Sequence, residues 1–170
     1  MTCNDWNLTE EVIDIGSDYY FGEINKEKKP NGFGILLGGN GLSLDEGYWE
    51  NGKLFGTARQ LWVVKNDVIG ITEGSFKASK WDGYCTQTYS NGESYQGFFI
   101  DDLWEGLGKY IYQDGHVYEG NHKHDKSHGH GKISYPDGVA FSGEWKDSKM
   151  NGLCLHTKKD FIHVQIYEDN

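Results

Sequence analysis

In the second half of the chain, ring-bearing residues and glycines alternate with polar residues at a step of two, and the alternation restarts every 23 residues. Taking Tyr95, Tyr118 and Phe141 as equivalent starts aligns three gapless segments: YQGFFIDDLWEGLGKYIYQDGHV, YEGNHKHDKSHGHGKISYPDGVA and FSGEWKDSKMNGLCLHTKKDFIH. TEGSFKASKWDGYCTQTYSNGES, from Thr72, continues the frame backwards. DEGYWENGKLFGTARQLW, from Asp45, fits and then carries a longer return through Val63 to Ile69. YFGEINKEKKPNGFG, from Tyr20, fits with one extra residue in its turn. A step of two is the pattern of a strand with one buried face, and a fixed longer period is the mark of a tandem array.

Counting the first residue of a repeat as position 0, an aromatic recurs at 0 (Tyr20, Tyr95, Tyr118, Phe141), glycine at 2 and a large ring at 4 (Trp49, Phe76, Phe99, Trp145). Glycine returns at 11, glycine or a small residue at 13, and tyrosine at 17 (Tyr89, Tyr112, Tyr135). SNG, QDG and PDG close the repeats. Positions 0, 2 and 4 are expected along one strand and 11, 13, 15 and 17 along the next, so that rings and glycines share one face of a hairpin. Interior glycine weakens a strand unless something packs on its bare backbone, and the adjacent ring column does so. Asn-Gly and Asp-Gly supply the positive φ of tight turns.

The fold class that follows is all-β: an elongated, twisted, single-layer antiparallel sheet of about six tandem hairpins. The array is expected over residues 19–160, with repeats starting near 20, 45, 72, 95, 118 and 141, between an N-terminal cap segment (1–18) and a C-terminal capping strand and tail (161–170). Within the first cap, LTEEVIDI (8–15) reads as a short helix or a first strand; FIHVQIY (161–167) reads as a last strand pairing with the sixth repeat. Terminal elements of such arrays cover otherwise open edges, and an edge left open is a route to a homodimer.

YEGNHKHDKSHGHGKISYPDG and YQGFFIDDLWEGLGKYIYQDG resemble MORN (membrane occupation and recognition nexus) repeats, whose pattern is tyrosine, acidic, glycine, variable, aromatic, then a glycine-bearing turn and GxG. The resemblance runs from residue 20 to about 158 and departs from the pattern at Ala58, Cys85 and Cys154, where the second glycine of GxG is expected. It implies tandem hairpins, and it allows homodimers. Proteins with these repeats have been linked to membranes and phosphoinositides, and similar repeats precede catalytic domains such as lipid kinases and a histone methyltransferase.

Charge narrows the partners. The formal net charge of -10 argues against a sequence-independent grip on nucleic acid or on an anionic membrane, both of which need basic excess. Local basic spots such as Lys26, Lys28 and Lys29 remain. No stretch approaches the roughly 18 apolar residues of a membrane span, and MTCNDWNLTEEVIDIG has neither a basic leader nor a continuous apolar core. Cys3, Cys85 and Cys154 are odd in number and scattered, which fits reduced thiols and a cytoplasmic location.

Four histidines, His122, His124, His128 and His130, crowd nine positions and are the candidate metal ligands. Strand phase places the pair at 4 and 6 and the pair at 10 and 12 on opposite faces, whereas structural zinc takes four converging ligands; histidine before GxG is also common in the family. The expectation is surface or partner-facing histidines and no metal or other cofactor. Cys85 and Cys154, both at position 13, should lie about 29 Å apart, too far for a disulfide, and read as stand-ins for glycine. No base or orienting group accompanies either as a nucleophile. Acidic pairs such as Asp45–Glu46 and Asp101–Asp102 read as solvated carboxylates at turns or strand starts, and a single-layer sheet offers no deep cleft for a carboxylate dyad. GxG here follows a turn and opens a strand, the reverse of a phosphate loop.

Position 9 carries Leu54, Trp81, Trp104 and Met150, with Ser127 interrupting. Such a row, spaced about 10 Å per repeat, either covers the glycine backbone of its own repeats or forms an apolar contact strip, with Trp104 as the best single anchor. Together with Tyr89, Tyr112 and Tyr135 it makes the candidate partner-binding set. The leading expectation is a non-enzymatic scaffold that binds protein partners through an aromatic groove and the sheet edges. The alternatives are a phosphoinositide-binding membrane module and the regulatory module of an enzyme.

Overall fold

The computed structural model describes residues 12–63, 69–159 and 161–167, and these form fourteen strands and no helix. The described residues divide into two compact bodies, the first ending at Trp81 and the second beginning at Asp82. In the first, β1 (Ile13–Ile15), β2 (Asp18–Ile24), β3 (Pro30–Leu37), β4 (Ser43–Glu50), β5 (Lys53–Val63) and β6 (Ile69–Lys77) pair antiparallel in chain order. In the second, β7 (Lys80–Tyr89), β8 (Ser94–Ile100), β9 (Leu103–Ile111), β10 (Val117–Lys123), β11 (Lys126–Ser134), β12 (Val139–Lys146), β13 (Lys149–Lys158) and β14 (Phe161–Tyr167) do the same. The first two residues of β7 belong to the first body. The fold is all-β with open antiparallel pairing, as the tandem-hairpin pattern predicts.

Of the N-terminal cap segment, residues 13–15 form β1, with Ile13 opposite Tyr20; LTEE (8–11) and Cys3 lie outside the described residues, as do residues 64–68 of the long return. The last strand pairs with the sixth repeat over its whole length, from Lys158↔Phe161 to Gly152↔Tyr167.

Two turn types alternate. Inside each repeat from the second onwards a two-residue turn holds both residues at positive φ: Asp101 and Asp102, His124 and Asp125, Asp147 and Ser148, Ala78 and Ser79, Asn51 and Gly52. This is the backbone of a type I′ hairpin turn, but only one of the ten residues is the expected glycine. Between repeats the connection is the glycine-bearing one: Gly92, Gly115 and Gly138 sit at φ of 94°, 85° and 86° and donate to the carbonyls of Tyr89, Tyr112 and Tyr135. The carboxamide of Asn91 and the carboxylates of Asp114 and Asp137 each accept the N–H two residues on, the local bond that favours these residues in turns.

The ring of position 0 lies over two glycines. Tyr95 and Tyr118 donate their hydroxyls to the carbonyls of Phe98 and Asn121, three residues on. A Cβ on Gly108 or Gly131, at position 13, would stand 2.4 or 2.2 Å from that hydroxyl. Glycine at 13 is therefore space for a ring, as expected. Glycine at 11 is not. The paired strands slip between positions 2 and 4, a bulge that breaks the uninterrupted alternation expected from 11 to 17 and opens Gly56, Gly106, Gly129 and Gly152 to φ of 69–71°. A Cβ on Gly56, Gly106 or Gly152 would meet nothing; glycine is needed there for its backbone angle, in the left-handed region that costs other residues about 1–2 kcal/mol.

Neighbouring repeats are tied at the turn end and through the rings. Ser79, Asp125 and Ser148 donate their N–H to the carbonyls of Leu54, Trp104 and Ser127 in the preceding repeat. In return, their side-chain oxygens accept from the N–H of the same residues, at 2.9, 2.7 and 3.3 Å. The indoles of Trp49 and Trp145, at position 4, donate to the carbonyls of Gly34 and Gly131 one strand back. Fully burying a ring such as Phe99 adds about 1.5–3 kcal/mol.

Candidate functional site

Position 9 does not form one uniform strip. Leu54 is 1% exposed and belongs to the core of the first body with Tyr20, Trp49, Ala58 and Phe76, so it is no surface anchor. Trp81 lies against Trp62 at 5.3 Å between ring centres and donates to Gln60 Oε1 at 3.0 Å. Trp104 stacks face to face on Tyr95, 4.1 Å away and inclined by 3°. Its indole N–H reaches Oε1 of the buried Gln87 at 3.3 Å, which also accepts the Tyr89 hydroxyl at 3.4 Å. Met150 packs on the cluster of Tyr118, Ile133 and Trp145. Trp81 thus lies on the preceding repeat and Trp104 spans its own repeat and the one before, and both are partly exposed.

In the second body the rings of successive repeats form a continuous run: Tyr110 to Tyr112 at 4.5 Å, Tyr112 to His116 at 3.7 Å, His116 to Tyr135 at 5.3 Å, Tyr135 to Phe141 at 6.2 Å and Phe141 to His156 at 4.4 Å. Asp114 holds the His116 ring by a short contact between its carboxylate and Nδ1, and hydrogen bonds from His116, led by its backbone N–H, keep the Asp114 carboxyl below its ordinary range. Beside this run a cavity of about 570 Å³ opens, walled by Tyr112, Tyr118, Ile133, Tyr135, Trp145 and Met150, with Ser127, Ser148, Lys149 and Tyr167 completing it. That size lies within the range of pockets that hold a side chain or a small ligand.

The four crowded histidines go to different places. His122 is buried among Tyr95, Trp104 and Tyr118 at 5.1–5.5 Å, its Nδ1 has no hydrogen-bond partner, and burial pushes its pKa down. His124 sits in the exposed turn 3.6 Å from Glu105. His128 is half-buried, and His130 is exposed opposite Glu144 at 3.7 Å. Among the described residues no group of three or more histidine, cysteine, aspartate or glutamate side chains is placed to hold a metal ion. Cys85 and Cys154 are buried free thiols, and burial raises the Cys154 thiol. Asp101 and Asp102 form a turn; Asp45 instead lies inside β4, where burial raises its carboxyl.

The opposite face carries a feature that the position-9 argument missed. Positions 3 and 12 expose Tyr48, Tyr84, Phe98, Leu107 and Leu153, with Leu107 at 63% and Leu153 at 66%, and Tyr84 meets Phe98 edge to face at 5.4 Å. The signal was in the repeat, since large apolar residues recur in both columns and plain alternation puts positions 3 and 12 opposite the rings and glycines.

Among protein families, the sequence profile described as MORN repeat matches residues 73–94, 95–117, 118–139 and 141–160, together just over half of the chain; the two N-terminal repeats are not matched. No curated protein matches the sequence. Among solved structures, the TCP domain of SAS-4 (dCPAP) from Drosophila melanogaster, in complex with a proline-rich motif of Ana2 (dSTIL), is similar over 92% of this chain and 90% of that one, at 12% identity and a TM-score of 0.44.

Proposed function

We propose, from the premise that this chain belongs to the MORN-repeat family, that it is a non-enzymatic scaffold which binds protein partners through the aromatic groove of its second body. The observation that supports this is the stacked run from Tyr110 to His156 beside a cavity with mainly apolar walls. A partly open aromatic surface held by strands offers large contact area at low ordering cost. The lipid reading rests on Lys26, Lys28 and Lys29, of which Lys29 is paired with Glu27 at 2.8 Å, against a net charge of -10.

The test is a peptide-display selection on the immobilised full chain. Selected peptides are expected to share an aromatic or large apolar anchor. They should lose binding to a Tyr112→Ala, Tyr135→Ala variant and keep it with Tyr48→Ala in the first body. An empty selection overturns the reading. Salt-sensitive flotation with phosphoinositide vesicles would transfer the function to a lipid surface.

A further inference from the structure

His116 stacks between Tyr112 at 3.7 Å and Tyr135 at 5.3 Å, inclined to them by 19° and 25°. It stands at position 21 of its repeat, and one repeat earlier the same position is Glu93. A carboxylate there takes the place of a ring, and a recess of about 380 Å³ opens beside Tyr112, lined also by Glu93, Gln113, Asp114 and His116. The recess is open to solvent: the Asp114 side chain is 68% exposed, Gln113 is exposed, and Glu93 and Tyr112 are half-buried.

Both carboxylates are held in place, yet among the described residues neither is paired with a lysine or arginine. Glu93 accepts from the Asn91 carboxamide at 2.9 Å and from the Tyr110 hydroxyl, and Asp114 meets the backbone N–H and Nδ1 of His116 through Oδ1. Such bonds fix a carboxylate's direction, and with about four acceptor sites on each group they leave room for another donor. Lys158, in the tyrosine column two repeats on, is about 19 Å away by strand spacing, beyond a Debye length. The negative charge is felt by the neighbouring rings. After burial, Glu93 is the next cause holding the Tyr89 and Tyr110 hydroxyls above their ordinary range, and at Tyr112 burial and Tyr135 are followed by Asp114 and Glu93.

We infer that this recess takes an arginine side chain from a partner polypeptide, its guanidinium laid against the Tyr112 ring and bonded to Glu93 and Asp114. A planar, always charged fork gives a carboxylate two bonds and stacks on an aromatic face, whereas an ammonium offers a point charge. The acceptors are already oriented, so binding orders little on this side. The net charge of -10 favours basic partners in the same sense. This rests on the binding-scaffold reading and adds the charge and shape of the partner's anchor.

The experiment uses the nitrogen-labelled full chain, in which the amides of Gly115 and His116 report from the rim of the recess. The probe is the capped peptide Ser-Gly-Arg-Gly-Ser, beside versions with citrulline, which keeps the shape and loses the charge, and with lysine. Saturable shifts of both amides are expected with the first. Binding should be about tenfold weaker with citrulline and several-fold weaker with lysine. A Glu93→Gln, Asp114→Asn variant removes both charges and keeps both acceptors. Asn91 already stands in the Asp114 column, so this variant should melt close to the wild type and bind the arginine and citrulline peptides alike.

No saturable shift with the arginine peptide, citrulline or lysine binding as tightly as arginine, or an arginine preference that survives in the double variant would each overturn the inference. If the double variant melts early, the citrulline comparison on the wild type decides alone. N-acetylargininamide binding as tightly as display-selected peptides would also overturn it, in favour of a small cationic ligand. Selected peptides that bind the double variant as well as wild type sink this inference and leave the scaffold standing. An empty selection sinks the scaffold reading itself.

Discussion

At the scale of the residue, two glycines two places apart answer to different physics, and substitution separates them. Gly131→Ala drives a methyl into the Tyr118 ring, whose hydroxyl, Cζ and Cε2 all stand within 2.7 Å of the added Cβ, and overpacking of that kind costs about 1–3 kcal/mol. Tyr118→Phe in the same chain removes the nearest atom and should recover part of the loss. Gly106→Ala meets no atom but sits at φ 70°, so its cost of about 1–2 kcal/mol should shrink with asparagine in place of alanine; chemical denaturation of the four variants distinguishes strain from collision. His122 is the residue to follow with pH. Burial among rings lowers its pKa from the ordinary 6.5, so below that value the unfolded chain takes up the proton before the folded one. Its contribution is whole above pH 6.5 and drains away as the pH falls through the lowered folded value. His122→Phe, the ring type that Phe76 and Phe99 carry in this column, should flatten the loss of melting temperature between pH 7 and pH 5, and an unchanged slope would remove His122 from the account.

At the scale of the element, the hairpins turning at Ser79, Asp125 and Ser148 are each secured to the one before by a reciprocal pair of bonds. Asp125 gives its N–H to the Trp104 carbonyl and receives the Trp104 N–H on its carboxylate at 2.7 Å. It does so from a left-handed backbone angle that aspartate tolerates better than most residues. Asp125→Ala removes the acceptor and leaves the strand pairing alone. The expected cost is about 1 kcal/mol, with faster amide exchange concentrated at Trp104, while Asp125→Asn retains an oxygen and should restore most of the protection. Uniform loss of protection across β8–β11 would mean the bond is a bystander to a global change. The requirement also accounts for Ser79 and Ser148 in the same place: a short side chain with an oxygen reaches back one strand, and a longer one overshoots.

At the scale of the molecule, β14 is the strand at which self-association can be tested. β14 is exposed along its length, Ile162, Val164 and Ile166 are each more than half exposed, and among the described residues it pairs only with β13. An apolar strand with a free edge templates pairing with another chain, and natural edges are blunted with charge. The wild type is expected to sediment as a concentration-dependent dimer and Ile162→Lys with Ile166→Lys as a monomer; identical sedimentation of both excludes this edge.

The sequence by itself determined the period, the hairpin in each repeat and the nesting of a ring over glycine 13, because these depend on alternation and turn chemistry within one stretch of chain. It also marked Trp104 as embedded in the repeat or an anchor, without deciding between them. Only the tertiary structure decided that Leu54 is core and that Gly106 serves its backbone angle. Each of those outcomes depends on a bulge or on side chains one repeat away, and the alternation along a single strand carries no information about what the neighbouring strand places opposite it.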